Sequence, residues 1–163
     1  MATSIKNLSE YDKNIISSGA DYKIGIVVSE WNEQITGALL QGAKQTFCDH
    51  DVQEKNLIIV HVPGAFELPL GAQSLLEQQK LDGVLTIGAV IQGETKHFDF
   101  VCNGATEGIM QVMLNYNTPI SFCVLTDNNL QQSIDRSGGK HGNKGIECAV
   151  SLLKMIQLQR SLK

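Results

Sequence analysis

The chain has 163 residues, of which 42% are hydrophobic and 18% are charged, and its formal net charge at pH 7 is −4. This length fits one domain with its own hydrophobic core, and the negative charge excludes a general nucleic-acid binder, which normally carries a basic stripe. No apolar run approaches the roughly 20 residues of a membrane span, and the N-terminus lacks the apolar stretch of a signal peptide.

Residues 1–21 are polar and show no periodic pattern, so we interpret them as an N-terminal arm that orders only against a partner. Residues 22–163 are predicted to form a single domain. Its first element is a strand over residues 23–29 (KIGIVVS), because short β-branched runs are typical of buried strands. A helix follows, with apolar residues at helical spacing between 35 and 47, and Asn32 is placed to cap it.

The same strand-and-helix unit recurs along the rest of the chain. Apolar runs predict three more strands, over residues 56–62, 83–91 and 119–126. Helical periodicity predicts four more helices, over residues 66–79, through 101–113, over 129–137 and from residue 144 onward. Pro69 fits the helix over residues 66–79 because it falls in the first turn.

This alternation of strands and helices indicates parallel strands joined by right-handed crossovers. We therefore predict an α/β fold, a three-layer α/β/α sandwich with a four-stranded parallel sheet of flavodoxin-like type. Ligands of such sheets bind beyond the carboxyl ends of the strands. The loops of interest are those over residues 30–34, 63–67, 92–97 and 127–129.

Two of these loops carry candidate binding side chains. Trp31, the only Trp of the chain, follows the first strand beside polar residues. A single aromatic residue usually belongs to a core, but one at a strand exit can stack on a planar ligand. Glu67 lies at a predicted helix start, where it serves either as a ligand contact or as a first-turn carboxylate that the helix dipole favours.

The loop over residues 92–97 (QGETKH) is the most informative. Gly93, Glu94 and Thr95 open a helix with amide donors and a hydroxyl, which together suit a phosphate. His97 follows at the helix entrance. A histidine there is more often structural than catalytic, and the neighbouring phosphate-type turn adds weight to the catalytic alternative. The loop lacks the GxxxxGK[ST] pattern, so a nucleoside triphosphate site is not indicated.

The sequence contains no motif for a metal site or for nucleophilic catalysis. No histidine pair has zinc-ligand spacing and no carboxylate cluster indicates another metal, and no GxSxG motif is present. The chain has four cysteines: Cys48, Cys102, Cys123 and Cys148. They form no CxxC pair and fall within apolar patterns, so we interpret them as reduced core thiols of a soluble, cytoplasmic protein.

Four segments in order resemble one family of enzymes over residues 22–158. They are SEWNEQIT, VPGAFELPLGAQ, IGAVIQGETKHFDFV and IDRSGGKHGNKGIECA, and the family is 6,7-dimethyl-8-ribityllumazine synthase. The resemblance implies a transferase that condenses 5-amino-6-(D-ribitylamino)uracil with 3,4-dihydroxy-2-butanone 4-phosphate, the penultimate step of riboflavin biosynthesis. Phosphate and water are released, and neither a cofactor nor a metal is required.

The resemblance also implies roles for individual residues. His97 would be the proton carrier, and Trp31, where many members carry Phe, would stack on the pyrimidine. The other pyrimidine and ribityl contacts would be Ala65, Phe66, Glu67, Ala89, Val90, Ile91 and Phe122. Phosphate would be bound by Glu94, Thr95, Arg136 and Lys140.

Finally, the resemblance implies a homo-oligomer with active sites shared between neighbouring subunits. The expected unit is a pentamer, in which Phe122 comes from an adjacent subunit. The short connection over residues 138–145 favours a further assembly into a 60-subunit icosahedral shell, which could enclose riboflavin synthase. The alternatives are a flavin-binding module and a shell-forming homologue, each without catalytic activity; a receiver-type module lacks the acidic cluster it would need after the first strand.

Overall fold

The structure, a computed structural model, describes residues 7–162. Its main strands, β1 to β4, span Ile24–Ser29, Leu57–Val62, Gly83–Ile91 and Ile120–Asp127. The helices of this part of the chain, α1 to α5, span Glu33–Asp49, Leu68–Gln78, His97–Asn115, Leu130–Arg136 and Lys144–Ser161. Every predicted strand and helix is therefore present.

The four strands form one parallel sheet in the order β2-β1-β3-β4. β1 is buried at every position, as its apolar sequence predicts for an inner strand covered on both faces. β2 lies at an edge, where it is only half-buried and exposes His61. Because all four strands run in the same direction, the loops that follow them meet at one edge of the sheet.

Helices cover both faces of the sheet. One core cluster joins α1 and α5 to one face of the sheet and contains Phe47, Leu152 and Ile26. A second joins α2 and α3 to the opposite face and contains Leu68 and Val27. Consecutive strand residues thus enter different clusters, as the alternation of side chains along a strand requires. The predicted α/β/α sandwich of flavodoxin-like type is confirmed.

A small hairpin that the sequence did not predict connects α4 to α5. Its strands, β5 and β6, span Ser137–Gly139 and Gly142–Asn143. Gly142 has φ of +83°, a left-handed conformation that glycine adopts at little cost. The short connection over residues 138–145 therefore contains a paired element, which carries Lys140 at its exposed tip.

Asn143 fastens this hairpin to α1 and α5. Its side-chain oxygen accepts a hydrogen bond from the Gly145 amide at 2.8 Å, and its amide donates to the Ala38 carbonyl at 2.9 Å. At Gly145 the two helices approach so closely that a Cβ atom would overlap the Leu39 carbonyl. Glycine is thus required by packing at this position.

The N-terminal segment contacts the body of its own chain from residue 7 onward. The Leu8 amide donates to the His141 carbonyl at 2.8 Å, and Lys13 pairs with Asp49 at 2.9 Å. Ile16 is buried in the core cluster that contains α1. These contacts are made within one chain, because the segment has apolar residues of its own to bury, and the interpretation that it orders only against a partner stays a prediction. Residues 1–6 lie outside the described part, and the division into arm and domain stays a prediction.

One arginine side chain joins several residues at the edge of the sheet that lies opposite the strand-to-helix loops. Arg160 of α5 donates to Asp21 at 2.6 Å and to Asp82 at 2.7 Å. Its guanidinium also lies 4.4 Å from the centre of the Tyr22 ring. These contacts tie the start of β1 and the start of β3 to the end of α5.

The cysteine prediction is correct only in part. All four are free thiols, and Cys123 and Cys148 are buried in the core as expected. Cys102 is half-buried, and Cys48 is exposed. The prediction fails at Cys48 because this residue, although it adjoins Phe47, falls on the outer side of the last turn of α1.

Candidate active site

A cavity of about 710 Å³ opens at the carboxyl edge of the sheet. It lies where β1, β2 and β3 end and α3 begins, which is the edge that the parallel topology predicts for a ligand. Its walls are the loops that follow β1, β2 and β3 and the first turn of α3. The lining residues are Trp31, Asn32, Gly64, Ala65, Phe66, Glu67, Ala89, Val90, Ile91, Gly93, Thr95, His97, Phe98, Phe100 and Val101.

Trp31 and Asn32 form the wall that follows β1. The Trp31 side chain is 73% exposed, so the structural alternative of a core aromatic is wrong for this chain. Asn32 has φ of +62°, and its side-chain amide donates to the Ala89 carbonyl at 2.8 Å. The prediction that its side chain caps α1 is wrong, because this left-handed backbone directs the amide towards β3 instead.

The wall that follows β2 is a single 3₁₀ turn, Ala65–Glu67. The Phe66 ring is 59% exposed and packs across Gly104 of α3, where a Cβ atom would lie 2.5 Å from Cε2 of the ring. Glu67 is half-buried and directly precedes α2. The turn therefore presents an aromatic ring and a carboxylate to the cavity together.

The floor of the cavity is the end of β3. Ala89 is buried, whereas Val90 and Ile91 are half-buried. Strand β3 pairs with β1 through its first residues and with β4 as far as Ile91. The last residues of β3 thus extend beyond β1, and this step in the sheet leaves room for a planar molecule.

The start of α3 forms the remaining wall. The His97 amide donates to the Thr95 hydroxyl oxygen at 3.4 Å, which closes the turn before the helix. Both side chains are exposed and both line the cavity. The positive end of the helix dipole and the free amides of the first turn also face this region, so an anion is favoured there. Glu94 lies in the same loop without lining the cavity.

Besides Glu94, three predicted site residues lie outside the cavity of a single chain. Phe122 is half-buried on β4, and Lys140 is exposed at the hairpin tip. Arg136 ends α4, with its Nε 3.9 Å from the Asp127 carboxylate. One chain therefore brings nine of our predicted residues into one cavity, Trp31, Ala65, Phe66, Glu67, Ala89, Val90, Ile91, Thr95 and His97, and does not bring Arg136 to His97.

Sequence reasoning missed several lining residues. Asn32 was assigned only to helix capping, although a polar residue next to an exposed strand-end aromatic was a usable signal. Phe98 and Phe100 were missed because aromatic residues in the first turn of an amphipathic helix are usually assigned to the core. Phe100 is instead 69% exposed in the single chain.

Within residues 7–162, no group of three or more His, Cys, Asp or Glu side chains could hold a metal ion. No helix of the described residues is long and apolar enough to cross a membrane. The groups that the cavity offers for chemistry are therefore an imidazole, a carboxylate, a hydroxyl and aromatic rings.

Comparison with known proteins identifies the family to which this site belongs. The family model described as 6,7-dimethyl-8-ribityllumazine synthase matches residues 21–160. The chain belongs to this family. The resemblance drawn from the four motifs is thereby confirmed, and with it the expectation of a transferase of riboflavin biosynthesis that forms 6,7-dimethyl-8-ribityllumazine. Members of the family bind small-molecule substrates and are generally oligomeric.

Individual members of the family match almost the whole chain. The lumazine synthase of Flavobacterium johnsoniae is 56% identical over 160 residues, which cover 98% of this chain and 84% of that one. The enzyme of Christiangramia forsetii is 52% identical over 164 residues, covering 100% of this chain and 98% of its own. That of Parabacteroides distasonis is 49% identical over 156 residues, covering 96% and 98%.

Proposed function

We propose that the cavity at the carboxyl edge is where this chain condenses 5-amino-6-(D-ribitylamino)uracil with 3,4-dihydroxy-2-butanone 4-phosphate. The observation that carries the proposal is the arrangement of groups in one cavity. An exposed ring, Trp31, and an imidazole beside an anion-favouring helix start, His97, line the same cavity. The first suits a pyrimidine and the second a phosphate ester, and the bond between the two reactants forms between them.

The pyrimidine half of the site consists of three contacts. Trp31 stacks on the pyrimidine ring, and the backbone of Ala89, Val90 and Ile91 binds its polar edge where β3 extends beyond β1. The turn Ala65–Glu67 holds the ribityl chain, with the Glu67 carboxylate accepting from its hydroxyl groups. The half-buried position of Glu67 supports this role, because a carboxylate there gains from polar ligand contacts.

The phosphate half of the site requires two chains. Thr95 offers its hydroxyl and Glu94 its backbone amide at the start of α3, as helix starts do for phosphates. Arg136, Lys140 and Phe122 lie outside the cavity of their own chain, so we assign them to the cavity of a neighbouring copy. There Arg136 would bind the phosphate as a bidentate fork, and Phe122 would close the pocket.

The chemistry consists of two carbon–nitrogen bond formations and the proton transfers around them. The amine of the pyrimidine adds to the carbonyl of the second reactant, and water leaves to give an imine. Loss of a proton from the carbon beside the imine expels phosphate and forms an enol. The enol becomes a ketone, the second amine of the pyrimidine closes the ring on it, and a second water leaves. His97 carries protons between these steps, which typically contributes about 10²- to 10⁴-fold in rate. Holding the two reactants together contributes more, up to about 7–11 kcal/mol. Neither a cofactor nor a metal is needed.

The assembly that we propose is a homopentamer in the cytoplasm. Support comes from large apolar side chains that α2 and α3 expose in the single chain, at Leu70, Phe100, Met110 and Leu114. Monomeric proteins rarely expose such a set on neighbouring elements. The short hairpin between α4 and α5 leaves room for twelve pentamers to form a 60-subunit shell, and riboflavin synthase is the proposed enclosed partner. Analytical ultracentrifugation distinguishes the two assemblies by mass.

Fluorescence of the lumazine product tests the reaction directly. The purified chain mixed with both reactants should generate the fluorescence, while either reactant alone should not. Absence of product from the folded protein would favour the alternative of a homologue without catalytic activity, which no observation on this chain supports.

Complementation between subunits tests the shared site. His97→Ala should slow turnover by about 10²-fold, and Arg136→Ala should reduce it further because it removes both phosphate binding and stabilisation of the leaving group. Co-expression of the two variants should restore about a quarter of the sites if chains mix at random around a ring. Activity that stays at the level of the separate variants would contradict the assignment of Arg136 to a neighbouring cavity.

A further inference from the structure

The end of β4 carries a buried carboxylate, Asp127, that the condensation itself does not require. Asp127 is the last residue of β4 and is 7% exposed. Its backbone carbonyl accepts a hydrogen bond from the Gln92 amide at 2.9 Å, and the residue lies in register beside Ile91 of the cavity floor. A carboxylate removed from water in this way is stable only when neighbouring groups compensate its charge.

Two residues of α4 provide this compensation. The Ser133 hydroxyl, which is fully buried, donates to Oδ2 of Asp127 at 2.8 Å. The Nε atom of Arg136 lies 3.9 Å from Oδ1, and the Nη1 atom of the same guanidinium donates to the Gln132 carbonyl at 3.0 Å. The two oxygens of the carboxylate thus face two residues of one short helix, and the guanidinium is held by an ion pair through Nε and a hydrogen bond through Nη1.

The helix that carries Arg136 is also fixed at its start. The Gln132 amide donates to the side-chain oxygen of Asn129 at 3.0 Å. The side-chain oxygen of Gln132 accepts from the Asn128 amide at 2.9 Å. Because both contacts join α4 to the loop directly after β4, the helix is held in place against Asp127.

We infer that Asp127 is a positioning residue for Arg136, which it holds in the orientation that binds the phosphate of a neighbouring chain's substrate. The inference rests on the proposed function, because it takes Arg136 as a phosphate ligand. An arginine side chain has many rotamers, and the fraction of time it spends in the binding orientation sets its apparent affinity. A nearby negative charge also weakens the attraction of Arg136 for phosphate, so the two effects have opposite signs. The sign measured on removing the charge therefore identifies the role.

The decisive variant is Asp127→Asn in the full-length protein. We expect the KM for the phosphate-bearing reactant and the inhibition constant of inorganic phosphate to rise about tenfold, while the KM for the pyrimidine stays unchanged. The matched control is Asp135→Asn, which removes the same charge from α4 at a residue that contacts Gln131 instead. It should leave all three constants unchanged. A KM for the phosphate-bearing reactant that falls or stays constant in Asp127→Asn would overturn the inference.

Ser133→Ala provides a second test that retains the charge. It removes the hydrogen bond that orients the Asp127 carboxylate, so the same two constants should rise by a smaller factor. This variant tests the positioning role even if the Asp127→Asn chain does not fold. Unchanged constants in a folded Ser133→Ala protein would count against that role.

A double-variant cycle shows whether Asp127 acts through Arg136. In an Arg136→Ala background, Asp127→Asn should have no further effect on the KM for the phosphate-bearing reactant. A full effect in that background would refute the inference and leave the proposed function intact. If Arg136→Ala itself leaves phosphate binding unchanged, the proposed role of Arg136 fails, and the inference fails with it.

Discussion

The stacking role of Trp31 gives the sharpest quantitative prediction, through the variants Trp31→Ala and Trp31→Phe. The Trp31 side chain is 73% exposed, so a ligand can cover one ring face. That face is roughly 70 Å², about a third of what a buried aromatic residue covers. At about 25 cal/mol per Å², covering it stabilises the complex by about 2 kcal/mol, and the ring–ring interaction adds about 0.5–1.5 kcal/mol. Trp31→Ala should therefore weaken pyrimidine binding about 30- to 300-fold.

Two measurements check this expectation. Because Trp31 is the only Trp of the chain, its fluorescence reports directly on the site, and titration with the pyrimidine reactant should quench it. Calorimetric titration then gives the dissociation constants of both variants. Trp31→Phe keeps an aromatic face of smaller area, so its affinity should fall less than tenfold.

The reasoning would be refuted by a specific pair of results. One is a Trp31→Ala protein that binds the pyrimidine within about threefold of the unaltered chain. The other is a saturating pyrimidine concentration that leaves the Trp31 emission unchanged. Together they would mean that the exposed ring has a different purpose, such as contact with a neighbouring chain.

Three further predictions concern packing and pH. Gly145→Ala should destabilise the protein by about 2 kcal/mol, because the clash with the Leu39 carbonyl exceeds the gain in helix propensity; thermal unfolding measures this. Gly104→Ala should displace the Phe66 ring and raise the KM for the pyrimidine on the order of tenfold, without unfolding the chain. Burial lowers the pKa of His50 in the folded protein. As the pH falls, this side chain is therefore protonated in the unfolded chain before it is protonated in the folded one. Thermal stability should therefore fall as pH drops below about 6.5, and His50→Asn should flatten that fall.

Each of these predictions has a control. Gly37→Ala places a methyl group where no atom lies within 4 Å, so it should stabilise α1 slightly, in contrast to Gly145→Ala. Loss of helical circular dichroism in Gly104→Ala would mean that the glycine serves the fold instead of the cavity wall. For His50, Tyr11 is the neighbouring group to check, since its hydroxyl lies 3.2 Å from Nε2. An unchanged pH dependence in His50→Asn would assign the effect elsewhere.

The fold could be predicted from sequence because each element carries its own pattern. The β-branched run of β1 and the helical periodicity of α1 are local signals, and parallel pairing follows from their alternation. The position of the cavity could be predicted in turn, because ligands of parallel sheets bind beyond the carboxyl ends of the strands. The conformation of Asn32 could not be predicted, because its left-handed backbone depends on a hydrogen bond to a strand far away in sequence. The hairpin of β5 and β6 was missed for a similar reason, since its strands are too short to show a period.

The candidate site divides into a part that sequence predicts and a part that it does not. Trp31 and His97 line one cavity, because both follow strands of the same sheet, and their roles in it stay predictions. The meeting of His97 with Arg136 stays a prediction, because it depends on how subunits pack. Patterns along one chain describe elements, and they do not specify the relative placement of two chains.

The contacts of Arg160 lie at the opposite end of the sheet from the cavity, and this separation has a practical consequence. A strand as long as β3, with nine residues, spans roughly 30 Å. Substitutions of Asp21 or Asp82 would change the stability of the sheet without changing contacts to the reactants. Directed evolution could therefore select heat tolerance at one rim and substrate preference at the other, and combine the selected changes with little interference.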